Sequence, residues 1–250
     1  MTENLRVAVI GANGRMGAAA VAAIGRADGL ELVAALGRSD PLERLLETRA
    51  QVVVELTVPD SSEQNVRFAV QHGLHAVVGT TGWDAGKRTA LAGLLAQNPG
   101  VGVLIAPNFA LGSVLATRFA AQAARYFDSV EIIELHHPHK VDAPSGTAIR
   151  TAQLIAQARA GLPPAPDATE QAMPGARGAV VDEVPVHSVR LAGLTAHQEV
   201  LLGSAGEQLS IRHDSFGQDS FMPGVLLGVR KVASVPGLTY GLDGYLELDS

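Results

Sequence analysis

The stretch Leu5-Arg6-Val7-Ala8-Val9-Ile10-Gly11-Ala12-Asn13-Gly14-Arg15-Met16-Gly17 sets the fold class. Leu5 to Ile10 is a short apolar run that stops at a glycine, the pattern of a buried strand. Gly14 to Ala27 is rich in alanine and free of proline, so it predicts a helix. The turn between them lets a pyrophosphate approach the backbone. The helix N-terminus then offers free N–H groups and a partial positive charge. The usual dinucleotide fingerprint is G-x-G-x-x-G. Here it is G-x-x-G-x-x-G, with Asn13 where the middle glycine normally stands. A tight turn with no ligand is the alternative, but a place at the first strand-to-helix junction favours a dinucleotide. Gly11, Ala12, Asn13, Gly14, Arg15 and Met16 are therefore candidate cofactor residues.

Further strands are expected at Glu31 to Leu36, Val52 to Leu56, His75 to Val78 and Val101 to Ile105. Helices are expected at Pro41 to Arg49, at Ser61 to His72 with its cap near Ser61 or Ser62, and at Asp84 to Gln97. Strands alternating with helices across short connections predict an α/β, Rossmann-like parallel sheet covered on both faces. The rhythm then changes. A long helix (Leu111 to Tyr126), a strand (Val130 to Leu135) and a helix (Ser145 to Arg159) lead into the proline-rich loop Gly161 to Pro166. Three runs follow, Val186 to Leu191, Glu199 to Gly203 and Gln208 to His213, close enough in sequence to suggest antiparallel pairing. A helix from Ser220 to Ala233 closes the pattern. The expected organisation is a dinucleotide-binding domain at 1–107 and 217–250. A smaller α+β domain at 108–216, with a mainly antiparallel or mixed sheet, carries substrate binding and oligomerisation.

Composition agrees with that class. The 250 residues are 47% hydrophobic but only 4% aromatic, so the core must be built from Ala, Val, Leu and Ile. The formal charge of −6 gives no reason to expect nucleic acid as a partner. There is no cysteine, which removes disulfides, thiolate catalysis and thiolate zinc sites. The N-terminus has no basic segment leading into a long apolar one, and the apolar runs are too short to span a bilayer. No membrane association and a cytoplasmic location are expected.

The end of the second strand normally carries the residue that reads the adenosine ribose. An acid there repels a 2′-phosphate, but here the chain reads Gly37-Arg38. Arg38 suits a bidentate bond to a 2′-phosphate, so NADPH is expected, in place of or alongside NADH; an ordinary solvated arginine is the alternative. Gly79-Thr80-Thr81-Gly82 and Ala106-Pro107-Asn108-Phe109 end the fourth and fifth strands. Ligands of open α/β sheets bind at such carboxyl ends. Gly79, Thr80, Thr81, Ala106, Pro107, Asn108 and Phe109 are candidates for the nicotinamide half, with plain turn chemistry as the rival reading.

The most chemically loaded stretch is Glu134-Leu135-His136-His137-Pro138-His139-Lys140-Val141-Asp142-Ala143-Pro144-Ser145-Gly146-Thr147. Three of the eight histidines fall in four positions, and a lysine follows at once. Pro138 and Pro144 forbid regular structure across it. Three readings compete. A metal site lacks any H-E-x-x-H frame. A charged surface loop rarely concentrates titratable groups in this way. An acid–base and anion site uses histidine to exchange protons near neutral pH and lysine to donate one or hold a carboxylate. Ser145-Gly146-Thr147 then opens a helix whose N–H groups form a carboxylate cradle. Arg190 and Arg15 are weaker candidates, since an arginine on a strand or turn is more often solvated.

These stretches resemble the 4-hydroxy-tetrahydrodipicolinate reductase family, in its shorter actinobacterial form, essentially from end to end. The resemblance rests on V-I-G-A-N-G-R-M-G, V-V-G-T-T-G-W at 77–83, A-P-N-F at 106–109 and above all E-L-H-H-P-H-K-V-D-A-P-S-G-T-A at 134–148. R-L-A-G-L-T-A-H-Q-E-V at 190–200 and S-F-M-P-G-V at 220–225 extend it. It implies a nicotinamide-dependent reduction in diaminopimelate and lysine biosynthesis, with a small dicarboxylate as substrate and a homotetramer that pools the second domains' sheets. His136 matches the family's proton donor/acceptor and Lys140 its proton donor. His137, Gly146 and Thr147 match substrate-binding positions, and no metal is implied. Relatives often carry an acid at the position of Gly37, which leaves NADH preference open. Two rivals stand beside this reading: another two-domain reductase of aspartate-derived metabolites, and a redox-silent NADPH sensor.

Overall fold

The computed structural model describes residues 3–247. The chain divides into two compact units. One holds the residues up to Leu111 and those from Gln218 onward, and the other is Gly112–Gly217.

The first unit begins with β1 (Leu5–Ile10), α1 (Arg15–Arg26), β2 (Leu30–Leu36), α2 (Arg44–Glu47), β3 (Val52–Glu55), α3 (Pro59–Gln71), β4 (His75–Val78), α4 (Ala85–Ala96) and β5 (Gly102–Ile105). Strands β3 and β5 are buried at every position, as parallel strands covered on both faces must be. Two expectations need correction. Helix α3 starts at Pro59 with Val58 as its cap, not at Ser61 or Ser62. Proline at the first helical position is pre-set for the turn, and Ser62 is drawn inward to a buried acid described below. The helix expected over Pro41 to Arg49 is regular only at Arg44–Glu47.

The second unit contains α5 (Leu111–Ala124), β6 (Ser129–His136), α6 (Gly146–Ala158), β7 (Ala179–Val181), β8 (Val184–Arg190), β9 (Ala196–Ser204) and β10 (Glu207–Ser215). Its sheet runs β10-β9-β6-β8-β7. Strand β6 alternates half-buried and buried residues. Val130 and Ile132 pack with Ala120, Ala124, Ala148, Ala152 and Ile155 of α5 and α6. One face of the sheet therefore carries the core, while Glu131, Ile133 and Leu201 on the other face are only half-buried. The three-run antiparallel expectation holds for β9 with β10 but not for β8 with β9. Strand β6 lies between them, antiparallel to β9 and parallel to β8. The segment linking β8 to β9 crosses the end of β6, where Leu191 N–H donates to the His136 carbonyl at 3.1 Å.

The chain then returns to the first unit with α7 (Met222–Lys231) and β11 (Gly237–Tyr240). Helix α7 packs on α1 and β4, and short 3₁₀ turns flank it on both sides. The finished sheet is β2-β1-β3-β4-β5-β11, parallel throughout. Its order reverses between β1 and β3, which makes their carboxyl ends the switch point where open α/β sheets bind ligands. No helix among the described residues is long and apolar enough to cross a membrane.

Candidate active site

At the switch point, Gly11 adopts φ +85°, and a Cβ there would lie 2.3 Å from the Leu56 carbonyl oxygen. A Cβ on Gly17 would lie 2.0 Å from the Gly11 carbonyl oxygen. Helix α1 is thus seated directly on the glycine turn. Its cap residue, Gly14, contributes no side-chain bond, so the helix N-terminus carries no side-chain acceptor. Asn13, Gly14 and Arg15 are exposed around it. An open, uncapped N-terminus above a glycine turn fits a dinucleotide pyrophosphate.

At the end of β2, Arg38 is exposed. Sequence reading found no acid here, yet one is present in space. Asp40 accepts from the Gly37 N–H at 2.8 Å and pairs with Arg44 at 2.9 Å. The Gly37 N–H bond, with help from Arg44, holds its carboxyl below the usual value of 3.8. A Cβ at position 37 would lie 2.5 Å from Nδ2 of Asn13, so a side chain there requires that amide to swing aside.

The carboxyl ends of β3 and β4 are bound together by a residue that sequence reading passed over. Glu55 is 1% exposed and has no cationic partner among the described residues. Its Oε1 accepts from the Thr57 N–H at 3.2 Å, from the Thr57 hydroxyl and from Asn65 at 3.3 Å, and its Oε2 accepts from Ser62 at 2.6 Å. Ser62 accepts in turn from the Trp83 indole at 3.2 Å, and Thr80 accepts from the Thr57 N–H at 2.9 Å. The signal was available in the sequence: a lone acid closing the apolar run Val52-Val53-Val54. Among the residues proposed here for the nicotinamide half, Thr80, Ala106 and Phe109 are buried, while Thr81 and Pro107 are exposed. Phe109 and Leu56 crowd Gly79, where a Cβ would meet them at 2.8 and 2.6 Å. Asn108 accepts from the Ala110 N–H at 2.9 Å.

In the second unit, β6 ends at His136. Residues His137 to Lys140 then form a β-turn with Pro138 at its second position, closed by the Lys140 N–H to the His137 carbonyl at 3.2 Å. This turn brings Lys140 back toward His136. The Lys140 ammonium pairs with Asp142 at 2.7 Å. Helix α6 opens at Gly146, capped by the Ser145 hydroxyl, which accepts from the Ala148 N–H at 3.2 Å. A Cβ on Gly146 would meet nothing, and Thr147 follows it in the same first turn. The three histidines do not act as one group. The ring of His136 turns to Glu134, while His137 and His139 are exposed, with ring centroids 6.2 Å apart. No cluster of three or more metal-ligating side chains occurs among the described residues.

Glu134 and Arg190 complete this site. The Glu134 side chain is fully buried and takes a fork from Arg190, at 2.8 Å to Oε1 and 3.0 Å to Oε2. His136 Nδ1 bonds Oε2 as well. Arg190 also donates to the Asp142 carbonyl at 2.8 Å. Read from sequence, Arg190 was a solvated arginine or a ligand contact. In the fold its guanidinium is bound to protein acceptors and its side chain keeps 21% of its exposure. Burial pushes the Glu134 carboxyl up, but Arg190, Ser188 and His136 outweigh it and hold it below 4.5. Burial pushes the His136 imidazole below 6.5, and Lys140 and Arg190 add to this against the pull of Glu134.

Comparison with known proteins places both halves together. Residues 5–109 match the family described as dihydrodipicolinate reductase, N-terminus, and residues 112–246 match its C-terminal counterpart. The chain belongs to the dihydrodipicolinate reductase family. It is 63% identical over 249 residues to 4-hydroxy-tetrahydrodipicolinate reductase of Streptomyces griseus, covering 99% of this chain and 100% of that one. The same enzyme of Mycolicibacterium smegmatis is 56% identical over 244 residues, covering 98% and 100%. A solved structure titled as dipicolinate-bound dihydrodipicolinate reductase from Paenisporosarcina sp. TG-14 superposes with a TM-score of 0.89 at 38% identity, covering 97% of this chain and 100% of that one. Dihydrodipicolinate reductases are oxidoreductases that use NADPH or NADH.

Proposed function

We propose that this member of the dihydrodipicolinate reductase family reduces 4-hydroxy-tetrahydrodipicolinate to tetrahydrodipicolinate in diaminopimelate and lysine biosynthesis. The observation that carries the reading is the His137–Lys140 turn. It folds Lys140 back after the end of β6, and its ammonium pairs with Asp142 on the segment that leads into α6. A nicotinamide dinucleotide supplies hydride when bound. Gly11 to Met16 hold its pyrophosphate, Arg38 faces a 2′-phosphate, and Gly79 to Thr81 with Ala106 to Phe109 line the nicotinamide half. Burial of Ala106 and Phe109 assigns them backbone contact and packing rather than exposed side-chain contact.

His137, Gly146 and Thr147 bind the dicarboxylate. The N–H groups of the first turn of α6 suit a carboxylate, since helix N-termini attract anions. His136 and Lys140 handle the proton. Loss of the 4-hydroxyl as water leaves a conjugated ring; hydride added to that ring leaves negative charge on the conjugated system, which one proton must neutralise. The sheet unit ending near 107 and resuming at 217 serves the dinucleotide, and residues 108–216 serve substrate binding and oligomerisation. The half-buried second face of the mixed sheet supports a homotetramer, and the biosynthetic role supports a cytoplasmic enzyme.

The test follows nicotinamide absorbance with freshly generated 4-hydroxy-tetrahydrodipicolinate, using NADPH and NADH side by side. Substrate-dependent oxidation is expected. Lys140→Ala and His136→Ala should each lose about 10²–10⁴-fold in kcat with little change in cofactor affinity. Tight cofactor binding with no oxidation would discard the reading in favour of a redox-silent sensor.

A further inference from the structure

Glu134 bonds both Arg190 and the His136 ring across β6 and β8, where His136 and Arg190 are register partners. The carboxylate is buried and forked, so it has no proton of its own to give. An ionised carboxylate only accepts hydrogen bonds. The hydrogen in its contact with His136 therefore belongs to Nδ1 of the ring. A neutral imidazole carries one N–H, so Nε2 is left with its lone pair free. We infer that Glu134, clamped by Arg190, is a positioning residue that fixes His136 in the Nδ1–H tautomer and presents Nε2 as an acceptor.

This rests on the reductase reading and deepens it by assigning the tautomer of His136 and the residue that sets it. The charged groups facing His136 are Glu134 on its own strand, Arg190 on β8 and Lys140 on the following turn. Its partner on β9, Ala196, is uncharged. Two cations against one carboxylate, together with burial, keep the ring neutral at neutral pH. A bare Nε2 repels a carboxylate oxygen. It accepts instead from an O–H or N–H of the substrate, so the carboxylates are left to the first turn of α6 and to His137.

The experiment is a nitrogen-15 NMR spectrum of the full-length protein with labelled histidine, without substrate. The His136 signals are assigned by their loss in His136→Gln. At neutral pH the proposal requires a protonated Nδ1 and a bare Nε2. A spectrum with the proton on Nε2, or with both nitrogens protonated, overturns it with no further variant needed. Glu134→Gln should lose the fixed tautomer, move the His136 titration to lower pH and reduce kcat at least about tenfold, a part of what acid–base groups contribute. Should that variant fail to fold, Glu134→Asp, which keeps the charge but withdraws it from Nδ1, serves the same purpose. Loss of thermal stability alone, with unchanged tautomer and kcat, would reduce Glu134 to a structural role and overturn the proposal. The spectrum is independent of turnover. The predicted tautomer in a protein without reductase activity would therefore uphold the Glu134 clamp and refute the assigned reaction.

Discussion

Gly17→Ala is the sharpest probe of the nucleotide end. The new Cβ would sit 2.0 Å from the Gly11 carbonyl oxygen, whereas real Cβ atoms stay beyond 3.0 Å. The start of α1 must therefore move off the glycine turn by about 1 Å, which is enough to misplace N–H groups aimed at a phosphate. A hydrogen bond to a charged group is worth about 1.5–3 kcal/mol. Losing two of them costs about 3 kcal/mol or more, which is about a hundredfold in Kd. The assay is calorimetric titration with NADPH, run beside circular dichroism to show that the fold is kept. Gly25→Ala is the control in the same helix. Nothing lies within 4 Å of its Cβ, so it should bind as wild type and gain a few tenths to about 1 kcal/mol in stability. A folded Gly17→Ala protein with wild-type NADPH affinity would refute the assignment of this turn to the cofactor.

Arg38→Ala should weaken NADPH by roughly tenfold while leaving NADH unchanged, since only the 2′-phosphate loses its partner; equal affinity of variant and wild type for NADPH removes Arg38 from the site. Glu55→Gln places an amide N–H₂ against donors that now meet a carboxylate, at about 1–3 kcal/mol for each donor left unpaired. Its urea midpoint should fall with an unchanged slope, and an unmoved midpoint would mean that the loops at β3 and β4 hold without it. Stability should also decline on acidification. His136 titrates below 6.5 in the fold, so below 6.5 the unfolded chain binds the proton first and stability begins to drop. Glu134 titrates below 4.5, so its contribution is present above 4.5 and disappears as the pH falls through its folded value. Urea midpoints measured from pH 8 downward should show the first loss in wild type and less of it in His136→Gln.

The parallel sheet was legible because its signals are local. Apolar runs such as Val52-Val53-Val54 and the glycine turn after Ile10 each act within a few residues. The His136–Lys140 loop was legible for the same reason, since Pro138 makes the turn and the titratable groups flank it. The clamp behind it was not. Glu134 and Arg190 are 56 residues apart, and only the β6–β8 register brings them together. That register was itself hidden, because proximity in sequence pointed to β8 with β9 rather than to β6 between them. The short strand β7, two of its three residues exposed, and β11, four residues that begin at Gly237, were too short to show a strand pattern. Asp40 escaped notice because the turn after β2 folds a side chain from three residues ahead onto Gly37.

The most direct measurement uses NADPH deuterated at nicotinamide C4 with 4-hydroxy-tetrahydrodipicolinate, and mass spectrometry of the product. The account predicts one deuterium in tetrahydrodipicolinate for each cofactor oxidised, and turnover that collapses in Lys140→Ala. Cofactor bound by the folded protein, with no deuterium reaching the product, would contradict it.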